Sequence, residues 1–566
     1  MRRAERIALM LLLVVLTGCA AVPTTGPVLH YQPAQAGASN GVQVAPLPPV
    51  DGATQLLIVE GFLHAMSTND GDYRVARQYL TTEAAGRWQP ESGVQVYADG
   101  YPPTETDQSV VLTAPLTGTI DSSGAYHATA GQLRLDFGLV KDENGQWRIS
   151  NPPNGVVVSR YLFTDAFQAV NLNFLASSGD VLLPDPRYYP SGSDEARLVA
   201  EGVLRGPSAW LQPLTAPRTT RDITVTSVSI DPGGIARVQL SPNAMQLSRE
   251  RKDALLAELV FTLSGLDPVV TVQVSAGAEA WSSKSGRWDL NQSNYSDLDP
   301  ADSITPRPVY LARDGKLQRQ ATQAGWSDFV DLQTDLPKVR QLAISRNAQQ
   351  WAALGESDER LLSGVIGEKG SKVQRSATGL LRPAFDRFGQ LWSPVASLSG
   401  LAVFREGAAV PVTVRGVPAG RVVALALAPD GARAAVVLAT AGRTVVGLLR
   451  VHRSDSGVLV DGWQPIDLSL AGASTSKLLD VGWNSVTELA LLRVDPDQQT
   501  SVLVVSQDSA EQTDTGPSDA RGLTALAAVP ARPPLALSVA GDVYRFDGEF
   551  DWLVSISGVN AVAYPG

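Results

Sequence analysis

The sequence holds one cysteine and four histidines in 566 residues, and no apolar run in it is long enough to cross a bilayer as a helix. A single thiol cannot close an intramolecular disulfide, so burial must stabilise whatever folds. Four scattered histidines leave little material for a metal centre, and no H-E-x-x-H, Walker A loop or Cys–His pair occurs. Lys and Arg number 46 against 57 Asp and Glu, which argues against nucleic acid as a partner, because phosphate demands concentrated cations. Zinc enzymes, thiol enzymes and nucleic-acid binders are disfavoured, and no cofactor is called for. What is present is apolar material, 44% of residues, too much for a disordered chain. At about 150 residues per domain it supplies about three or four cores.

The sole cysteine sits at an informative place. Arg2, Arg3 and Arg6 precede an uninterrupted apolar stretch, Ile7 to Leu16, about as long as the core of an export signal. The stretch ends in Leu16-Thr17-Gly18-Cys19, which resembles a bacterial lipobox. That resemblance implies a signal peptide over 1–18, cleavage, and a mature N-terminus at Cys19 bearing S-diacylglycerol and an N-acyl chain. An ordinary cleaved leader or a buried N-terminal helix is the alternative. Several acyl chains together hold a protein durably to a membrane. Lipid, not a basic surface, is therefore the expected membrane contact, at the extracytoplasmic face of the cell membrane. Residues 19–50 read as a tether rich in Pro, Gly and Ala. Its Gly37-Ala38-Ser39-Asn40-Gly41 matches G-x-S-x-G by chance, since no strand precedes Ser39 and no helix follows it.

Residues 51–160 pattern as helices and then strands. Leu56, Val59, Phe62, Leu63 and Met66 recur at helical spacing, and Leu133, Leu135, Phe137 and Leu139 alternate. The order resembles an NTF2-like α+β cone. Such cones often carry a pocket, so His64 and Glu60 are candidate site residues, weighed against His64 lying at the edge of the apolar stripe. Residues 161–194 read as a connecting β segment, with Pro184, Pro186 and Pro190 closing it. Residues 195–282 hold two helical patterns and several strands. Within them Leu204-Arg205-Gly206-Pro207-Ser208, Val238-Gln239-Leu240-Ser241 and Leu259 to Leu263, running on to Val269 to Val272, resemble the GerMN module. Residues 283–302 read as a solvated acidic linker. Asn294, Asp297, Asp299 and Asp302 have a calcium-like spacing, but Ala301 and the missing glycine break the EF-hand pattern.

Residues 303–566 repeat a short apolar strand, a polar turn and a second strand, at a period of about 45 residues. The signal centres on Ile344, Phe385, Leu427, Trp483, Val529 and Tyr564. This is an all-β propeller pattern of about six blades. The last strand, at Val562 to Tyr564, has no successors, so it is expected to join the strands around Val309 to Leu317 and close the ring. Tryptophans in this region are expected between blades, with a sugar-stacking groove as the alternative. Asp386, Asp430 and Asp480 lie near inner-strand ends, where a propeller hydrolase would place paired acids, although turns explain them equally well.

The order of leader, lipobox, proline tether, NTF2-like region, GerMN-like module and propeller resembles the actinobacterial LpqB lipoprotein family. The resemblance implies a non-enzymatic accessory protein of the MtrAB two-component system. It would bind the extracellular domain of the sensor kinase MtrB and modulate signalling tied to cell-wall homeostasis and division. Binding of a cell-wall glycan or small ligand is the alternative. The resemblance carries over no catalytic residues.

Overall fold

A computed structural model of the protein describes residues 46–566, except 70, 107–108, 219, 221, 304–305, 323–325, 327, 358, 518–521 and 549–550. The first helix, Gln55–Ala65, starts where the Thr54 hydroxyl accepts the Leu57 N–H at 3.3 Å. It buries Ile58, Val59, Phe62 and Leu63 against a curved sheet. The sheet's spine is the hairpin Val110–Ile120 with Tyr126–Asp136. The strand Val94–Tyr97 lies beside it and pairs in parallel with Val156–Ser159. The short helix Arg160–Ala166 then packs Phe163 into the same core. This is the α+β first domain.

The second domain begins earlier than its GerMN-like motifs suggest. The hairpin Phe167–Leu175 with Leu182–Pro190 buries Val170, Leu172, Phe174 and Leu183 in one core with the long helix Arg249–Leu263. Asn173 N–H donates to the Thr262 hydroxyl at 2.9 Å, and Leu175 N–H to the Glu258 carboxylate at 3.0 Å. The segment 161–194 is thus no connector. Its first part belongs to the first core and its hairpin to the second. Pro184 and Pro186 fit because their strand is an edge, where a missing N–H is tolerated. The helix Glu195–Arg205 lies against this hairpin so closely that a Cβ at Gly202 would come within 2.1 Å of the Tyr189 hydroxyl. Beside it runs a four-stranded sheet in the order Val225–Ile230, Ile235–Leu240, Thr271–Ala276, Glu279–Ala280.

Residues 283–302 are also no free linker. Leu290 and Tyr295 are buried in the second core, and the Tyr295 hydroxyl reaches Asp253 at 3.3 Å. Asp302 is only 5% exposed and is held by arginine. Acidic composition concealed this, because the few apolar residues that dock the segment have no regular period.

Six sheets follow among the described residues, each a propeller blade. Their innermost strands are Ala561–Ala563, Val339–Ile344, Ala384–Phe385, Arg421–Leu427, Lys477–Trp483 and Leu523–Ala527, blades 1 to 6 in that order. Blade 4 carries a fifth strand, Val412–Val414, added in parallel to Gly457–Ile466. Blade 1 is composite. The final strand pairs antiparallel with Tyr310–Arg313, Tyr310 opposite Ala563, and Lys316–Gln320 and Phe329–Asp335 complete the blade. The closure read from the sequence is the observed one. Trp351, Trp392 and Trp483 are buried at the seams between blades 1 and 2, 3 and 4, and 4 and 5.

The described residues belong to one compact unit. Tyr188 N–H donates to the Gly124 carbonyl at 2.8 Å, joining the first two domains. Arg160 donates to the Ala510 carbonyl, and Ala510 itself is buried in the first domain's core. Trp210 of the second domain donates its indole N–H to the Gly462 carbonyl of blade 4 at 2.5 Å. Gly462 has φ +69°, and a Cβ there would strike the Arg450 guanidinium, which donates back to the Trp210 carbonyl at 3.3 Å. Replacing Trp210 by phenylalanine keeps the ring and removes that donor. The expected result is a loss of about 1 kcal/mol in denaturant unfolding.

Candidate functional site

The residues named from sequence are scattered. Leu16, Thr17, Gly18, Cys19 and Ser39 lie outside the described residues. Glu60 and His64 are exposed on the outer side of their helix, away from the core. Asp297 is exposed, and Asp299 accepts the Ala301 and Ser303 N–H groups of its own turn. Among the described residues no cluster of His, Cys, Asp and Glu is arranged to hold a metal ion.

The propeller aspartates are buried, and each one is consumed by an arginine. Asp386 ends the inner strand of blade 3 and accepts the Trp392 indole N–H at 3.0 Å and Arg453 of blade 4 at 2.9 Å. Asp430 takes the equivalent place in blade 4. Its partner Arg433 is fully buried, lies 5.0 Å from the centre of the Trp483 ring, and donates onward to Gln507 and to the Val486 carbonyl of blade 5. These ion pairs stitch blade to blade.

Asp480 sits on the inner strand of blade 5. Burial pushes its carboxyl above the usual carboxylate range, and the guanidinium of Arg382 opposes that. Arg382 precedes the inner strand of blade 3. It reaches across the channel to the Asp480 carboxylate at 2.9 Å, the Val481 carbonyl at 2.8 Å, and the Leu526 carbonyl of blade 6. The channel therefore has a guanidinium plug where a hydrolase would need free acids. Nothing in the sequence pattern singles out Arg382, because an isolated arginine before a short strand reads as a surface cation.

One mouth of the channel is covered as well. The turn 299–303 lies over it, and Asp302 pairs with Arg346 of blade 2. Arg387 of blade 3 donates to the Asp299 carbonyl at 3.1 Å and to the Pro429 carbonyl at 3.3 Å. Arg307 donates to the Ala301 carbonyl at 2.7 Å. Beneath the turn remains a hollow of about 50 Å³, bounded by Phe385, Leu427, Trp483 and Val529.

A cleft of about 660 Å³ lies in the second domain, lined by Glu201, Leu204, Arg205, Arg218, Thr220 and Ile223 among others. Its volume suits a small ligand. Arg218 at its wall forms a two-bond pair with Glu258, at 2.7 and 2.8 Å. Burial raises the Glu258 carboxyl, and Arg218 offsets part of that rise.

A six-bladed propeller with a plugged channel, joined by hydrogen bonds to two α+β domains, defines a multidomain protein that offers surfaces and a cleft. Residues 48–164 match the family described as the lipoprotein LpqB N-terminal domain. Residues 171–278 match that described as sporulation and spore germination, and 315–553 the lipoprotein LpqB beta-propeller domain. The chain is 30% identical to lipoprotein LpqB of Cutibacterium acnes, over 100% of this chain and 99% of that one. It is 27% identical to lipoprotein LpqB of Streptomyces coelicolor, over 98% and 96% of the two chains. The chain belongs to the LpqB lipoprotein family. Among solved structures it is similar to TolB of Acinetobacter baumannii, with TM-score 0.32 and 12% identity over 54% of this chain and 84% of that one. Among the described residues no helix is long and apolar enough to cross a membrane.

Proposed function

We propose that the protein is an accessory lipoprotein, anchored through Cys19 at the extracytoplasmic face of the cell membrane, that binds the sensor kinase MtrB. It modulates the MtrAB two-component system there, with effects on cell-wall homeostasis and division. Family membership across the whole chain is the observation that carries this reading, since the resemblance to LpqB implies that partner. The engaged state of Asp386, Asp430 and Asp480 supports it, because each is already committed to an ion pair. Residues 51–566, immobilised, are expected to retain the kinase's extracellular domain at micromolar concentration. No retention with both proteins folded overturns the reading.

Anchoring has its own test. Cys19→Ala removes the thiol that accepts diacylglycerol, so lipid labelling should vanish and an uncleaved precursor should accumulate. Normal lipid incorporation in that variant refutes the assignment.

The 660 Å³ cleft favours a second reading, binding of a small ligand or cell-wall glycan by the second domain. Thermal-shift measurements with muropeptides separate the two readings. A saturable shift lost in Thr220→Trp, which fills the cleft, supports the second.

A further inference from the structure

The channel mouth is lined by arginine. Arg307, Arg346 and Arg387 converge there, and the pocket they share also contains Asp302 and Asp386. Asp386 is spent on Arg453 and Trp392, and Asp302 is the acid that pairs with Arg346 and Arg307. Loss of solvent lowers the pKa of both Arg307 and Arg387, and repulsion from Arg346 lowers them further. Asp302 and Asp299 oppose the shift at Arg307, and Asp430, Asp302 and Asp180 oppose it at Arg387, so the guanidinium groups depend on the carboxylates around them.

What occupies it defines what it recognises. Arg346 holds a carboxylate, that of Asp302, with Arg307 at 3.9 Å from the same oxygen. Arg387 and Arg307 each hold a main-chain carbonyl, those of Asp299 and Ala301. The three cations thus read an acidic side chain and the peptide backbone that carries it. Guanidinium forks suit both acceptors, and such charge-assisted bonds are about twice as strong as neutral ones. Asp302 itself has φ +53°, a left-handed conformation that a residue with a side chain rarely adopts. The apolar hollow beneath it has room for a small apolar side chain next to the acid.

We propose that this channel mouth is a binding site for an acidic peptide, occupied in this conformation by the chain's own Asp302 as an internal latch. A partner segment carrying an Asp or Glu in a turn, next to a small apolar residue, displaces 299–303 and takes over the three arginines. The site recognises chemistry and not a named protein, so it stands apart from the kinase reading.

A labelled, end-blocked peptide of residues 297–303, Asp-Leu-Asp-Pro-Ala-Asp-Ser, serves as the probe. It is added to the full chain and followed by fluorescence anisotropy. Asp302→Ala should bind it at least tenfold more tightly than the unaltered chain, which holds its own copy in place. Adding Arg346→Gln and Arg387→Gln to that variant should abolish binding, and raising the salt should weaken it. Should Asp302→Ala fail to fold, Asp302→Asn keeps the shape of the latch and removes its charge, with the same expectation. Equal binding by the unaltered and latch-free chains, or binding that survives loss of both arginines, overturns the proposal. No binding by a folded, latch-free chain overturns it too. None of these outcomes involves the kinase.

Discussion

Arg382→Ala lowers the stability of the protein by about 3–5 kcal/mol, the cost of stranding a buried carboxylate. Arg382 supplies Asp480 with its counter-charge, and the same guanidinium satisfies two carbonyls from blades 5 and 6. Asp480 retains the Leu526 and Val481 N–H groups in the variant, but these neutral donors do not replace a cation. Two controls identify the cause. Asp480→Asn in the same chain removes the stranded charge and should restore at least half of the loss, as read by denaturant midpoints at unchanged slope. The pH dependence is the second. A carboxyl whose folded-state pKa is raised binds more protons folded than unfolded, so stability rises as pH falls. Loss of Arg382 raises that pKa further. The deficit of Arg382→Ala is therefore larger at pH 8 than at pH 5. A deficit that does not change with pH would point to lost packing instead.

Removal of residues 560–566 should be the most damaging change to the propeller. It deletes the innermost strand of blade 1 and with it the pairing to Tyr310–Arg313. Ala561, Val562, Ala563 and Tyr564 are all buried, and the Tyr564 hydroxyl donates to the Pro533 carbonyl of blade 6 at 2.8 Å. Burial of the valine and tyrosine side chains alone is worth on the order of 4 kcal/mol. Blade 1 is also left with an unpaired edge facing the channel, where water cannot serve every backbone group. The expected outcome is loss of cooperative melting or loss of soluble protein. Tyr564→Ala is the graded version, with about 3–5 kcal/mol lost while the ring stays closed. A truncated chain that melts as sharply as the complete one would show that the ring does not depend on its last strand.

Much of the propeller was legible because its inner strands are short, apolar and followed by polar turns, as in Ala426-Leu427-Ala428-Pro429-Asp430-Gly431. Ring closure was legible because Val562 to Tyr564 supply one strand and Val309 to Leu317 supply others, and a blade needs both. The domain seams were not. Pro184 and Pro186 suggested a connector, yet they occupy an edge strand whose other face is part of a core. Leu290 and Tyr295 dock the supposed linker without any periodicity that could announce it. The candidate site was legible in its acids and hidden in its cations. Asp386, Asp430 and Asp480 stood out as possible chemistry, whereas Arg453 and Arg382, which neutralise the first and the last, are far away in sequence. Only folding brings such pairs together.

The composite first blade has a consequence for how the chain reaches its final form. Tyr310 pairs with Arg319 early, but its inner-side partner is Ala563, so the ring stays open at one seam while nearly all of the sequence is already in place. Pairings between such distant residues form slowly. A chain made from its N-terminus holds that seam open until Ala561–Ala563 have been added. In that interval a protease or chaperone meets a species that the finished molecule never shows again.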